Sequence, residues 1–214
     1  MAFQVRAAIR DDIPRMAVIC EKAFANNEVF RHMYPNAVQE EQFAFRRRFF
    51  ENEWSLPGRT PFVAFDTKSQ EVTAFARWYF PYSLTDEEEK AGLGKDNGDE
   101  ETPPGAIPEF FKDFFTRLFS YRTKYVDHNT TYVLDMLAVD PDHQRKGLGG
   151  LLLRHVLERV DKEGKQAYLE ATKAGVGLYA KLGWRKIDEM VIDTKPYGGE
   201  GVEEEVIMMR DPKA

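Results

Sequence analysis

The chain has 214 residues, 43% hydrophobic and 31% charged, which is enough for one well-buried domain and short for two. Its net charge of −6 argues against a nucleic-acid partner, and no apolar run approaches the roughly 20 residues of a membrane helix. The first residues lack a signal-peptide pattern, Cys20 has no second cysteine to pair with, and the four histidines have no zinc-ligand spacing, so a cytoplasmic, metal-free protein is expected.

Taken in chain order, residues 3–10 alternate loosely and predict a strand. Asp11 or Asp12 can cap a helix running to about Ala25, with Ile13, Met16, Ala17, Cys20, Ala23 and Phe24 inward. A second helix is expected over 38–52, with Phe43, Phe49 and Phe50 inward and Arg46, Arg47 and Arg48 on a solvated face. Residues 62–65 and 72–80 read as a hairpin. Residues 83–105 hold eight acids against two lysines, which equals the whole negative excess of the chain. With its glycines and prolines, the stretch 81–105 is expected to be a mobile loop.

Residues 107–125 then show Phe110, Phe111, Phe114, Phe115, Leu118 and Phe119 at three- and four-residue steps, the mark of an amphipathic helix. Such a stripe is first of all that of a helix packed on the core, and lining a substrate pocket is a second reading compatible with it. A strand follows at 131–140, a glycine-bearing turn at 144–150, a helix at 151–163, a strand at 166–172 and a short helix at 175–182. Strands at 184–193 and 203–210 complete a mixed α/β order of about seven strands and four or five helices.

The chemistry concentrates in Gln144-Arg145-Lys146-Gly147-Leu148-Gly149-Gly150, where a strand ends and a helix begins at glycines. The first turn of a helix has N–H groups without intrahelical partners, and its dipole favours an anion. Gly147 and Gly149 are expected to keep a phosphate's path to the backbone clear, with Arg145 and Lys146 adding charge. A diphosphate is the natural ligand of such a loop. No GxxxxGK[ST] or GxGxxG string is present, so neither a Walker loop nor a dinucleotide fingerprint explains it.

The segment resembles the [QR]-x-x-G-x-[GA] loop of the GNAT superfamily of acetyltransferases. Its flanks strengthen the likeness. Residues 134–141 resemble the family's fourth strand, 168–172 its fifth, and 177–184 its YxxxGF segment with Trp184 in the aromatic slot. The pairing of Leu169-Glu170-Ala171 with Leu178-Tyr179-x-x-Leu182-Gly183 is most like fungal members. The likeness spans most of the chain except about 81–128, an acidic loop plus helix longer than the minimal fold.

The resemblance implies one domain over 1–214. It implies a central, mostly antiparallel sheet of about seven strands flanked by helices and splayed between strands four and five. It also implies acetyl-CoA as co-substrate, with its pantetheine arm on the backbone of Leu137, Ala138 and Val139 and its pyrophosphate on the amides of residues 145–150. A backbone N–H near Val139 would polarise the thioester carbonyl. Tyr179 matches the tyrosine that protonates the leaving thiolate, or else it only packs against the cofactor. For the base, alternation puts Val133, Asp135, Leu137 and Val139 on one face, so Asp135 comes first and Glu170 second; water or a remote residue is the third route.

The expected reaction is direct acetyl transfer to a small-molecule amine in a ternary complex, by a monomer or homodimer. A CoA-binding sensor without catalysis is the alternative. Lone Cys20, on the first helix, gives an acetyl-cysteine route little support.

Overall fold

The computed structural model describes residues 2–90 and 101–213. The described strands are β1 (Phe3–Ala7), β2 (Arg59–Asp66), β3 (Val72–Tyr79), β4 (Thr131–Val139), β5 (Gln166–Thr172), β6 (Arg185–Asp193) and β7 (Val202–Arg210). They form one sheet in the order β1-β2-β3-β4-β5-β7-β6. Only β4 and β5 run parallel. The helices are α1 (Ile13–Phe24), α2 (Glu28–Met33), α3 (Gln39–Glu53), α4 (Asp86–Lys90), α5 (Pro108–Tyr125), α6 (Leu148–Lys162) and α7 (Val176–Lys181).

One sheet face is covered by α6, whose Leu152, Leu153, Val156, Leu157 and Val160 meet Trp78, Tyr132, Leu134 and Leu169. The opposite face is covered in two parts. Ile13, Met16 and Cys20 of α1 and Phe50 of α3 pack on Val63, Phe75 and Ala138. The phenylalanine stripe of α5 packs with Val29 and Met33 of α2 on Val133, Tyr168, Ile207 and Met209. Each such large apolar side chain stabilises the fold by about 1.5–3 kcal/mol on burial.

Several expected boundaries shift for local reasons. β1 stops at Ala7 because the Asp12 carboxylate accepts from Ile9 N–H (2.8 Å) and grips Arg6 in a fork (2.6 and 2.9 Å), which folds 10–12 into a 3-10 turn. The unexpected α2 is six residues long, too short for a period to register, and is capped by the Asn27 side chain accepting from Phe30 N–H. α6 begins at Leu148, three residues before the expected 151, because Gly147 is its N-cap at φ +81°. Arg46 is not on a solvated face: its Nε donates to Glu21 at 2.9 Å between α3 and α1.

The acidic stretch divides. Residues 91–100, part of the expected mobile loop, lie outside the described residues. Before them, Glu88 closes a turn onto the backbone N–H and hydroxyl of Thr85. After them the chain is packed rather than free. Pro103 is buried, the Gln42 amide donates to the Pro104 carbonyl, and Ile107 N–H donates to Met33 O at 2.8 Å. This clasp ties the start of α5 to α2 and α3.

The splay between β4 and β5 follows from the register. The two strands pair only from Thr131↔Gln166 to Leu134↔Leu169. At that point β4 carries a bulge: Trp78 opposes Leu134 and Arg77 opposes Met136, which leaves Asp135 as the extra residue. A bulge bends its strand and raises the local twist, so β4 turns away while β5 continues along β7 to Thr172. The bulge also breaks the expected alternation. Leu134, Leu137 and Val139 all lie on the α6 side, while Val133, Met136 and Ala138 lie opposite.

Candidate active site

A cavity of about 1220 Å³ opens at the splay and runs under α1, α2, α3 and α5. Beyond Leu134, residues 135–139 of β4 bond to β3 on one side only, so their other edge offers backbone donors and acceptors. Leu137 and Val139 line the cavity, and Ala138 is buried against α1. An extended ligand can add to this edge as a strand would.

The glycine turn closes the same cavity. Asp140 fixes its start: its carboxylate caps Asp142 N–H (3.1 Å) and pairs with Arg15 (2.7 Å). Gln144 reaches back towards the Val139 carbonyl at 3.5 Å, and Lys146 donates to the Asp142 carbonyl at 2.9 Å. Arg145 at φ +60° and Gly147 at φ +81° curl the chain into α6. The first bond from the helix runs from Leu151 N–H to Gly147 O, so the amides of Leu148, Gly149 and Gly150 precede it and belong to the anion-binding first turn. Gln144, Arg145, Gly147, Leu148, Gly149 and Gly150 line the cavity, whereas Lys146 sits beside it.

The two glycines serve different needs. A Cβ on Gly147 would meet open space, and what it needs is the left-handed backbone. A Cβ on Gly149 would lie 3.1 Å from Leu178 Cδ2 and 3.6 Å from Leu137 Cδ2. The missing side chain of Gly149 therefore also seats α7 against β4.

That seating positions Tyr179. Its ring is buried, lies edge-on to Trp184 (centroids 5.9 Å apart) and lines the cavity. Gly175 makes room for it, since a Cβ there would come within 2.8 Å of Tyr179 Cε2. Burial, and then the charge of Glu205, hold the phenol well above its ordinary pKa, so it stays protonated.

Asp135 lines the cavity but is fully engaged. Arg77 pairs with it at 2.8 Å, Arg122 at 3.2 Å, and the Tyr79 hydroxyl donates to it at 2.8 Å. Although burial alone would raise its pKa, the Arg77 and Arg122 guanidiniums outweigh that and hold the carboxyl well below the usual range. Glu170 is gripped by Arg122 through both oxygens, at 2.8 and 3.0 Å. These two carboxylates and two arginines form one buried network along the cavity wall.

Glu205 differs from both, and sequence reasoning missed it. It is 7% exposed, lines the cavity from β7, and carries no hydrogen-bond or ion-pair partner among the described residues. Burial, then the neighbouring charges of Glu170 and Glu203, push its pKa up to about 8. The signal was present in Val202-Glu203-Glu204-Glu205-Val206: a period of two puts Glu203 and Glu205 on the face of Ile207 and Met209. Three glutamates in a row read more readily as a solvated strand.

The arrangement thus combines an anion-binding turn, an open strand edge, a neutral phenol and a proton-accepting carboxylate around one cavity. A model of the acetyltransferase (GNAT) family matches residues 25–184. The bS18-alanine N-acetyltransferase of Escherichia coli strain K12 is 36% identical over 80 residues, covering 36% of this chain and 52% of that one. The chain spans about half the length of the curated relatives it matches, and a Salmonella typhimurium counterpart is likewise covered over 50% of its length. Among solved structures, a Corynebacterium glutamicum protein described as histone acetyltransferase HPA2 and related acetyltransferase superposes with a TM-score of 0.67 at 19% identity, covering 100% of this chain and 98% of that one. A putative acetyltransferase from Salmonella typhimurium, solved with acetyl-CoA, gives 0.56 at 16% identity, covering 100% and 95%. At these identities the structures share the fold.

Proposed function

The chain belongs to the GNAT acetyltransferase family, and from that membership we propose that it passes the acetyl group of acetyl-CoA directly to the primary amine of a small molecule, both being bound at once. The observation that carries the reading is the unpartnered Glu205 in the same cavity as Tyr179 and the glycine turn. The volume supports a ternary complex, since about 1220 Å³ exceeds the roughly 300–1,000 Å³ of a site for one small ligand.

The turn of residues 144–150 holds the pyrophosphate on the amides of α6's first turn. The free edge of β4 at Leu137, Ala138 and Val139 holds the pantetheine arm, and an N–H near Val139 faces the thioester carbonyl. Glu205 takes the proton that the incoming ammonium must lose, which frees the nitrogen lone pair for attack. Tyr179, kept neutral by burial, gives its proton to the departing CoA thiolate. Asp135, the first candidate for the base, is better suited to holding Arg77 and Arg122 in place, because a carboxylate already bound by two guanidiniums is a weak proton acceptor.

A small acceptor is favoured over a peptide because α2, α3, α5 and the clasp at 103–107 wall the cavity. The likeness of residues 169–171 and 178–183 to fungal members points the same way, although the relatives named above are bacterial. A sensor that only binds CoA would need neither Glu205 nor Tyr179 in the cavity.

The test is the pH dependence of kcat/KM. Wild type should rise with pH, reach half its plateau near 8, where Glu205 loses its proton, and level off above that. Glu205→Gln should lower the plateau by about 10²–10⁴ and abolish that limb. Tyr179→Phe should lower the plateau by a similar order, leave the limb in place and leave acetyl-CoA affinity unchanged. A Glu205→Gln enzyme that keeps both plateau and limb would remove Glu205 from the mechanism.

A further inference from the structure

The acceptor part of the cavity lies on the sheet face covered by α1, α2, α3 and α5, and it carries a specific balance of charge. Six carboxylates line the cavity. Glu21 is paired with Arg46 at 2.9 Å, Glu53 with Arg59 at 3.0 Å and Glu101 with Arg48 at 2.6 Å. Asp135 and Glu170 share Arg122. Glu205 alone has no partner among the described residues. The arginines that reach inward, Arg46, Arg59 and Arg122, are all held by these carboxylates, while Arg31 and Arg145 are exposed.

Between the ion pairs the wall is aromatic. Phe24 and Phe30 meet at 5.4 Å on one side. On α5, Phe115 lies 4.6 Å from Phe111, 5.3 Å from Phe114 and 5.9 Å from Phe119. Such rings favour an arene at offset or edge-on geometry and gain from excluding water.

We infer that the acceptor is a primary monoamine on an uncharged aromatic body, its ammonium meeting Glu205 and its ring packing among the phenylalanines of α5. The inference rests on the acetyl-transfer reading above. An amino acid would bring a carboxylate that finds no unpaired inward cation among the described residues. A polyamine would bring a second ammonium that finds no second unpaired carboxylate lining the cavity among the described residues. Burying either charge without a partner is costly.

The experiment measures acetyl-CoA binding by calorimetry on the whole protein, then free-thiol release with phenethylamine, hexylamine, phenylalanine, spermidine and an alanyl peptide. Phenethylamine is expected to exceed phenylalanine and spermidine in kcat/KM by at least about tenfold each, or roughly 1.4 kcal/mol. Phe115→Leu keeps the wall apolar and removes one ring, and should reduce the preference for phenethylamine over hexylamine. A preference for phenylalanine, spermidine or the peptide overturns the inference, as does failure to acetylate phenethylamine. An unchanged preference in Phe115→Leu overturns its aromatic part. Failure to bind acetyl-CoA instead overturns the acetyl-transfer reading itself.

Discussion

The burial that raises the pKa of Glu205 has a thermodynamic signature. Its folded pKa near 8 lies above the ordinary 4.5, so the folded protein holds this proton more tightly than the unfolded chain. The group's contribution to stability is fully present below about pH 4.5 and is lost as pH rises through 8, each unit being worth about 1.4 kcal/mol at most. Glu205→Gln should therefore raise the melting temperature relative to wild type near pH 9 and much less near pH 5; an equal effect at both would contradict an unpaired, proton-holding Glu205. Asp135→Asn should act in the opposite sense. It leaves Arg77 and Arg122 short of a counter-charge, so a loss of about 3–5 kcal/mol by denaturant titration is expected. At this scale a motif of fixed spacing picked out Gln144, Gly147 and Tyr179, which the fold brings to one cavity. The sequence singled out Asp135 but was mute about its partners, because Arg77 and Arg122 lie on β3 and α5, and only the fold brings them together.

The elements that make the site are the bulged strand β4 and the helix starts that face it. The bulge at Asp135 opens the edge proposed above for the acetyl donor, and strict alternation along the strand cannot reveal it. The phenylalanine period of α5 was legible because its 18 residues give five turns of repetition, whereas the six of α2 give fewer than two. The two turn glycines separate by a pair of variants. Gly149→Val should push Leu178, and with it α7 and Tyr179, away from β4, lowering both turnover and stability. Gly147→Ala meets no neighbour and should cost only the left-handed strain of about 1 kcal/mol, seen as a lower melting temperature with turnover at saturation preserved. Calorimetry and melting curves on both variants check this. Similar losses of turnover in the two would show that α7 is not seated through Gly149.

For the molecule as a whole, the order of elements from β4 to β6 identified the family, because a strand, an anion-binding turn, a helix, a strand, a helix and a strand must recur in that order to build the splay. The shape and charge of the cavity were not legible, since it is walled by elements distant in sequence: α1, α2, α3 and α5, together with the clasp at 103–107. That enclosure, joined to the splay, is the space that the proposed direct transfer between donor and acceptor requires. Cys20, the one nucleophilic thiol that lines the cavity, is buried and its thiol is pushed up to about 11, which leaves it little thiolate for a covalent route. The most direct measurement is a rapid-quench experiment with protein in excess of acetyl-CoA, run with and without phenethylamine, following free thiol, acetylated amine and the mass of the protein. The account predicts thiol release only when the amine is present, matched one for one by acetylated amine, with the protein's mass unchanged. Stoichiometric thiol release without the amine, together with an acetylated protein, would contradict it.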